Sequence, residues 1–317
     1  IPTLTPDELF QFDTFGWLHV PAVFTVDEVA TMRQLATDWL KAGAAGHEDS
    51  GSRLLPPPLE PYAGPLGNSA GGDVPGARVI RGIYHTQYGH RLFERCACDV
   101  RIMRVVCALQ EGNPCHVNQN LMEIRADTDE HITFHGNLDA GDRFYEVRCR
   151  DGNGDAVELN TSGAKSAGRY CFSSLVNVSV SLSDVPAGEG FVSVPGSHRR
   201  GFAPPKRIPP EAVVSQSVRA GDALIFCESL WHSAAQWKRR AEPRLTVFSR
   251  FWAHCSEERW RSYRPEARLP YERRLGDDLR ELQRCPCPAK QKRNYGSKPT
   301  LAPASASISA LRAGSTS

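Results

Sequence analysis

The sequence predicts a mainly β protein with flanking helices, whose strands form a sandwich or jelly roll. The clearest strand covers residues 175–185, where apolar residues alternate with asparagine and serine. This period of two is typical of a strand with one apolar face and one small polar face. Shorter apolar runs follow at 191–194, 223–226 and 245–248, divided by glycine, proline and aspartate turns. Many short strands divided in this way favour a sandwich or jelly roll.

Helices are predicted ahead of the strands, within residues 1–45. Thr5 is followed by proline and two acidic residues, which is a typical helix start. Thr25 and Glu28 form a capping box before an apolar stripe at helical spacing. A further helical pattern covers residues 88–111.

The remaining segments complete a single predicted domain over residues 1–284. Residues 46–88 are rich in glycine, proline and serine, so we expect a long loop that borders the site. Residues 257–284 are charged, and we expect them to form a C-terminal helical extension. Residues 285–317 have few large apolar side chains and are expected to be a disordered tail.

Composition excludes several classes of function. The 317 residues carry 38 basic and 36 acidic side chains, so the formal net charge is only +2. This balance argues against a nucleic-acid binder, and the lack of an apolar run of about 18 residues argues against a membrane span. None of the ten cysteines forms a C-x-x-C pair, so we expect mostly free, buried thiols in a reducing compartment. We therefore expect an intracellular, cytoplasmic protein, with organelle targeting left open because the chain begins at Ile1.

Two histidines and one arginine stand out by their positions relative to the predicted strands. His135 lies at the end of one strand, His232 follows the strand at 223–226, and Arg244 opens the next one. A non-haem Fe(II) oxygenase needs two imidazoles and usually one carboxylate on one face of the metal. A jelly roll can bring an early and a late histidine together at its mouth. An arginine on the following strand can then bind the far end of a dicarboxylate.

Several motifs resemble those of the phytanoyl-CoA dioxygenase-like Fe(II)/2-oxoglutarate oxygenases. Residues 182–198 read LSDVPAGEGFVSVPGSH, which is similar to the family's L-x-D … G-G-F … P-G-S-H stretch. Residues 220–226 read AGDALIF, which resembles the A-G-D-x-x-x-F strand before the distal histidine. The opening over residues 15–32 is similar as well. The resemblance covers roughly residues 5–254 and implies a double-stranded β-helix (jelly roll) core.

The resemblance also implies roles for the residues singled out above. His135 matches the proximal metal histidine and His232 the distal one, while Arg244 matches the arginine that binds a carboxylate of 2-oxoglutarate. Other arginines have a less suitable spacing from the distal histidine, and these alternatives are Arg239, Arg240 and Arg250. His198, in the P-G-S-H motif, is expected to make a structural hydrogen bond and not to bind the metal.

The third metal ligand departs from the family pattern. The usual H-x-D motif reads His135-Gly136-Asn137 here, as in a subgroup with H-G-x. Asn137 is retained as a candidate, although a neutral amide binds iron poorly. Four interpretations stay open: Asp139 supplies the carboxylate, Glu228 supplies it, the position is empty as in related halogenases, or metal binding is impaired.

The resemblance implies an enzyme that binds Fe(II) and 2-oxoglutarate and hydroxylates a C–H bond of a small molecule, with conversion of 2-oxoglutarate to succinate. Two alternatives remain. The first is a non-catalytic jelly-roll binding protein that lost the metal carboxylate, and the second is a Fe(II)/2-oxoglutarate halogenase. Neither the substrate nor the oligomeric state follows from the sequence.

Overall fold

The computed structural model describes residues 3–45, 58–65, 79–112, 114–125, 134–136, 145–150, 156–157, 168–200, 204–239, 241–253 and 275–283. The helices in these ranges are α1 (Pro6–Phe15), α2 (Val26–Ala45), α3 (Arg91–Cys98), α4 (Val100–Leu109) and α5 (Asp277–Leu282). The strands are β1 (Trp17–Val20), β2 (Glu60–Pro65), β3 (Val79–Tyr84), β4 (Pro114–Ile124), β5 (Tyr145–Arg150), β6 (Ala156–Val157), β7 (Gly168–Ser173), β8 (Leu175–Ser181), β9 (Gly190–Ser193), β10 (Val214–Ser215), β11 (Ala223–Cys227), β12 (His232–Ala235) and β13 (Arg244–Ala253).

Both predicted helix starts are confirmed. The Thr5 hydroxyl accepts the backbone N–H of Glu8 at 3.2 Å, and the Glu8 carboxylate accepts the backbone N–H of Thr5 at 2.9 Å. Thr25 and Glu28 form the same reciprocal pair at 3.3 and 2.9 Å. Each box satisfies backbone donors that a helix end leaves without an intrahelical partner.

Two antiparallel sheets face each other and confirm the predicted jelly roll. The larger sheet has the order β1-β11-β8-β13-β4-β3-β2 and the smaller has the order β10-β9-β12. His135 extends the smaller sheet through a bridge to His232, the first residue of β12. The rings of Phe191 on β9 and Phe226 on β11 lie 5.0 Å apart, so the two sheets meet across the barrel interior. A third sheet, β6-β5-β7, contacts α1 and α4 through β7.

Strand β8 has the two faces that the sequence predicts, and the structure shows where each one lies. Its three central valines are fully buried in a core shared with α3 and α4. Residues directly opposite each other in an antiparallel pair share a face. The polar residues of β8 lie opposite β13 in this way: Asn177 pairs with Arg250, Ser179 with Phe248 and Ser181 with Thr246. The small polar face therefore lines the barrel interior.

Two predictions for the segments around the barrel are corrected. The predicted loop at 46–88 contains β2 and β3, which pair with each other and extend the larger sheet. Strand β2 contains two prolines, which argue against a strand in the sequence. It forms because it lies at the edge of the sheet, the position that tolerates proline. The predicted helix at 88–111 is divided at Asp99, whose carboxylate caps α4 by accepting the backbone N–H of Arg101 at 3.0 Å.

Only a short part of the C-terminal region lies among the described residues. Helix α5 lies within the predicted C-terminal extension and buries Leu279 and Leu282 in the core. Residues 254–274 and the predicted tail at 285–317 lie outside the described residues. No helix in the described ranges combines the length and the apolarity needed to cross a bilayer. The six cysteines whose side chains are described form no disulfide.

The A-G-D motif has a structural role where β1 meets β11. Gly221 has a φ of +96°, and a Cβ at this position would lie 2.5 Å from the carbonyl oxygen of Phe24. Only glycine suits such a conformation and such a close approach. The Asp222 carboxylate accepts the backbone N–H of Ala22 at 2.8 Å and contacts His19 Nε2 at 2.8 Å. These contacts hold β1 against the strand that leads to the candidate site.

Candidate metal centre

The structure brings His135 and His232 together at the mouth of the barrel. The backbone N–H of each residue donates to the carbonyl oxygen of the other, at 3.0 and 2.9 Å. Their ring centroids lie 4.2 Å apart. Since residues paired in this way share a face of the sheet, both imidazoles point to the same side.

A carboxylate joins the two histidines, and it belongs to Glu228. One ligand atom from each of His135, Glu228 and His232 lies within 4.8 Å of the other two. Atoms that bind one ion at roughly 2.0–2.2 Å lie at most about 4.4 Å apart, so the three groups are near the spacing that a single ion requires. Two imidazoles and one carboxylate form the donor set of the facial triad of non-haem iron.

The ring of His232 is held in the orientation that a metal ligand needs. Its Nδ1 lies 2.7 Å from the carbonyl oxygen of Leu230. A proton on Nδ1 makes this hydrogen bond and leaves the lone pair of Nε2 for a metal. Burial lowers the pKa of His232 well below its usual value, and the neighbouring His135 and Arg250 act in the same direction. The ring is therefore neutral near pH 7, which is the form that binds a metal.

The carboxylate of Glu228 is positioned from the neighbouring strand. Asn177 Nδ2 donates a hydrogen bond to Glu228 Oε2, and both side chains are buried. The backbone N–H of Glu228 donates to the carbonyl oxygen of Leu175 at 3.1 Å. Carboxylates that bind a metal are commonly oriented by such hydrogen bonds. The Asn177 amide also compensates part of the cost of burying the charge.

The P-G-S-H turn fixes the segment between Glu228 and His232. The Ser197 hydroxyl accepts the backbone N–H of Trp231 at 2.8 Å. The backbone N–H of Val194 donates to the carbonyl oxygen of Trp231 at 2.9 Å. This motif therefore holds the chain immediately before the distal histidine.

Gly136 allows the Glu228 turn to approach the proximal histidine. A Cβ at Gly136 would lie 3.1 Å from the carbonyl oxygens of both Ser229 and Leu230. That separation is closer than an ordinary van der Waals contact, so a larger residue would displace the turn. The glycine of the H-G-N motif thus has a packing role beside the cluster.

Arg244 is buried on the interior face of β13, away from the cluster. A Cβ on Gly190 would lie 2.7 Å from Arg244 Nη1, so the guanidinium packs directly on this glycine. Gly190 pairs with Ala235, which is three residues along β12 from His232. Three residues of a strand span about 10 Å. Arg244 is therefore placed to reach the far end of a short dicarboxylate bound at the cluster.

Arg250 lies on the same face of β13 and nearer the cluster. It pairs in register with Asn177 of β8 and with Asn118 of β4. Its Nη1 donates to Asn118 Oδ1 at 3.5 Å, which is a long hydrogen bond. Because Asn177 contacts Glu228, only one side chain separates Arg250 from the candidate ligands. The sequence suggested Arg250 only as an alternative to Arg244, whereas the structure places the two arginines at different levels of the interior.

Some sequence candidates lie outside the described residues, and some contributors were not recognised from the sequence. Asn137 and Asp139 lie outside the described ranges, as does the only H-x-D of the chain, at residues 47–49.

Asn177 was not singled out, although it is the one amide among the serines of the polar face of β8. The role of Gly190 was also missed, because a glycine that opens a strand carries no sign of the arginine that packs on it.

His198 is buried between α1 and β5 of the third sheet, and the hydrogen bond expected of it is not found among the described residues. Its ring packs against Tyr145 at 4.5 Å and Phe12 at 6.4 Å between centroids. Neither ring nitrogen makes a well-formed hydrogen bond to the described residues. Burial lowers the pKa of His198 from 6.5 to about 4, against an opposing effect of Asp13.

The pKa of His198 predicts a loss of stability in acid. Between about pH 6.5 and about pH 4 the unfolded chain binds a proton on this residue and the folded chain does not, so stability falls as pH falls. The resulting decrease in the free energy of unfolding is at most about 3 kcal/mol. We expect His198→Leu to show a smaller drop in unfolding free energy between pH 7 and pH 4.5 in urea titrations. An equally steep drop in the variant would show that His198 is not the cause.

The fold resembles that of two proteins of known structure. HygX from Streptomyces hygroscopicus, solved with nickel and 2-oxoglutarate bound, is 20% identical, with 80% of this chain and 88% of HygX covered and a TM-score of 0.50. EctD from S. alaskensis, solved with bound Fe, is 18% identical, with 79% of this chain and 77% of EctD covered and a TM-score of 0.51. No protein-family profile and no curated protein matches the sequence. At these identities the likeness shows the jelly-roll fold.

Proposed function

We propose that this protein is a Fe(II)- and 2-oxoglutarate-dependent oxygenase that hydroxylates a C–H bond of a small molecule. The observation that carries the proposal is the cluster of His135, Glu228 and His232, whose ligand atoms lie within 4.8 Å of one another. This donor set is typical of non-haem Fe(II) oxygenases. The metal and 2-oxoglutarate in the HygX structure support the same pair of cofactors.

The residues of the chain bind, orient and shield the reacting groups. With dioxygen as the oxidant, Fe(II) and 2-oxoglutarate bound here would supply the hydroxylation chemistry: one oxygen atom becomes the new hydroxyl, and the other enters 2-oxoglutarate, which becomes succinate and carbon dioxide. His135, Glu228 and His232 would hold the metal from one side and leave the other side free for 2-oxoglutarate and dioxygen. The rings of Phe226 and Phe191 lie 4.8 and 6.2 Å from that of His232. They shield the site from water, which favours a controlled oxidation.

Glu228 is our candidate for the third ligand. Its carboxylate is in the cluster and is oriented by Asn177. This assignment favours hydroxylation over halogenation, because a halogenase of this kind needs the carboxylate position to be empty. It also disfavours a binding protein without a metal, because the acid missing at Asn137 is replaced from the other side of the site.

Arg244 is the candidate anchor for 2-oxoglutarate. Its buried guanidinium has a planar fork that suits a carboxylate, and it lies about 10 Å along the barrel from the distal histidine by strand rise. Together with the P-G-S-H and A-G-D motifs, this arrangement supports membership of the phytanoyl-CoA dioxygenase-like group with H-G-x in place of H-x-D.

Binding of 2-oxoglutarate to the Ni(II)-loaded full chain tests the proposal. Calorimetry should show binding to the loaded protein and much weaker binding to the metal-free protein, since the keto-acid end binds the metal. Arg244→Ala should weaken binding at least tenfold, because loss of one partner of a buried charge pair costs about 2–5 kcal/mol. Equal binding with and without the metal would contradict the proposed function.

A second test concerns the glycine under Arg244. Gly190→Ala should raise the concentration of 2-oxoglutarate needed for half-saturation at least several-fold, because the new Cβ would lie 2.7 Å from Arg244 Nη1. Gly188→Ala is the matched control. Gly188 has a φ of +83° and Gly190 of +71°, so both changes strain the backbone, but nothing lies within 4 Å of a Cβ at Gly188. Equal effects in the two variants would mean that backbone strain, and not the displaced arginine, is responsible.

A further inference from the structure

We propose that Arg250 and Asn118 bind an anionic oxygen group of the substrate, a carboxylate or a phosphate, so that the substrate is an acid. This inference rests on the proposed function, because the cluster of His135, Glu228 and His232 is taken as the place of oxidation. It goes further by giving the substrate a chemical class.

The first step is the position of Arg250. Its side chain is half-buried on the interior face of β13, in register with Asn177 and Asn118 on the two neighbouring strands. Asn177 donates to Glu228. A molecule that binds Arg250 is therefore held next to the metal ligands, where a substrate must lie to be oxidised.

The second step is charge. No acidic side chain in the part of the chain that the structure describes forms an ion pair with Arg250. In the loaded site the charges of Fe(II), Glu228, the two carboxylates of 2-oxoglutarate and Arg244 cancel. Within the described residues, the charge of Arg250 then has no counter-ion, and a half-buried charge is costly in that state.

The third step separates Arg250 from Arg244. The two residues are six positions apart on one strand, and that part of β13 has no bulge, so their backbones lie about 20 Å apart. Arg244 packs on Gly190 at one end, while Arg250 lies beside Asn177 at the other. One small dicarboxylate cannot span both, so Arg250 is left for a second anion.

The fourth step is the shape of the proposed subsite. Arg250 offers a planar fork of N–H donors that suits a carboxylate or a phosphate. Asn118 Oδ1 accepts from Arg250 Nη1 at 3.5 Å, which orients the guanidinium. The amide nitrogen of Asn118 adds two further N–H donors to the same place. The pair can therefore bind two oxygens of one anion.

The test compares an acid with its neutral counterpart on the Ni(II)-loaded full chain at saturating 2-oxoglutarate. Calorimetry gives the affinity for benzoate, for benzamide and for inorganic phosphate. We expect the parent protein to bind benzoate at least tenfold more tightly than benzamide. Whichever of benzoate and phosphate binds more tightly identifies the anionic group.

Two variants test the residues, and a third serves as the matched control. Arg250→Gln should reduce the preference for benzoate to within twofold. Asn118→Asp should also reduce the preference to within twofold, because the new carboxylate becomes the counter-ion of the arginine. Since Arg250 is still present in this variant, it keeps the test valid if Arg250→Gln fails to fold. Arg33→Gln removes a half-buried arginine of α2 that binds Glu242, and it should keep the tenfold preference. A preference that survives in Arg250→Gln, or that is lost in Arg33→Gln, would overturn the inference.

The affinity for 2-oxoglutarate distinguishes this inference from the proposed function. Arg250→Gln should leave that affinity within twofold of the parent value, and a tenfold loss would make Arg250 the anchor of 2-oxoglutarate and overturn the inference. If the parent chain binds no 2-oxoglutarate, the proposed function fails. The comparison of benzoate with benzamide on the metal-free chain then still decides whether Arg250 binds anions.

Discussion

Replacing His232 by alanine is expected to lower the affinity for Fe(II) at least about 100-fold. The variant loses one of the three proposed protein ligands, and even the partners that merely orient a ligand are worth about 10–100-fold. His135→Ala should have an effect of the same size, because its backbone pairing with His232 places the two rings side by side. Equilibrium titration of Fe(II) under anaerobic conditions measures both affinities.

The control for the histidine variants is a buried histidine outside the barrel interior. His198 is buried but outside the cluster, so His198→Leu should bind Fe(II) as the parent protein does. A comparable loss in His198→Leu would show that the histidine variants act through the fold. An unchanged affinity in His232→Ala would place the metal elsewhere.

Glu228→Gln should lower the affinity for Fe(II) at least tenfold while the metal-free protein keeps its melting temperature. The amide has nearly the same shape but no charge, so the cluster loses its anionic ligand. The fold should tolerate the change, because a buried charge held by one amide is replaced by a neutral group. Fe(II) titration and thermal unfolding of the metal-free protein measure the two effects.

Three further variants separate Glu228 from the other interpretations of the third ligand. Glu189 is a buried glutamate outside the cluster, so Glu189→Gln should bind Fe(II) like the parent. Asp139→Ala should change the affinity for Fe(II) little. If instead Asp139→Ala lowers that affinity as much as loss of a histidine does, and Glu228→Gln changes it little, the ligand is Asp139. If Asn137→Asp binds Fe(II) more tightly than the parent and Glu228→Gln changes the affinity little, the third ligand position is empty.

Much of the fold could be predicted because its signals are local. The capping boxes at Thr5 and Thr25 and the alternation along β8 depend on residues a few positions apart. Strands β2 and β3 could not be predicted in the same way. Their pairing joins residues 60–65 with residues 79–84, and a proline-rich edge strand has no periodic pattern of its own.

The same difference between local and long-range signals applies to the candidate site. His135, His232 and Arg244 could be proposed from the sequence because each stands at a strand end in a recognisable motif, and the structure places the two histidine rings side by side. The choice of Glu228 needed the structure, since its approach depends on Gly136, on the P-G-S-H turn and on Asn177 from a strand distant in sequence. Arg250 was only an alternative because its spacing from His232 fits the family's arginine less well, and its pairing with Asn177 and Asn118 is seen only in the structure.

Anaerobic addition of Fe(II) and 2-oxoglutarate to the full chain tests the central claim most directly. A weak visible metal-to-ligand charge-transfer band should form only when both are present, because it requires 2-oxoglutarate bound to an iron that the cluster holds. The band should be absent in the variant that carries both His135→Ala and His232→Ala. No band in the parent protein, or full iron occupancy in that double variant, would contradict the assignment of the site.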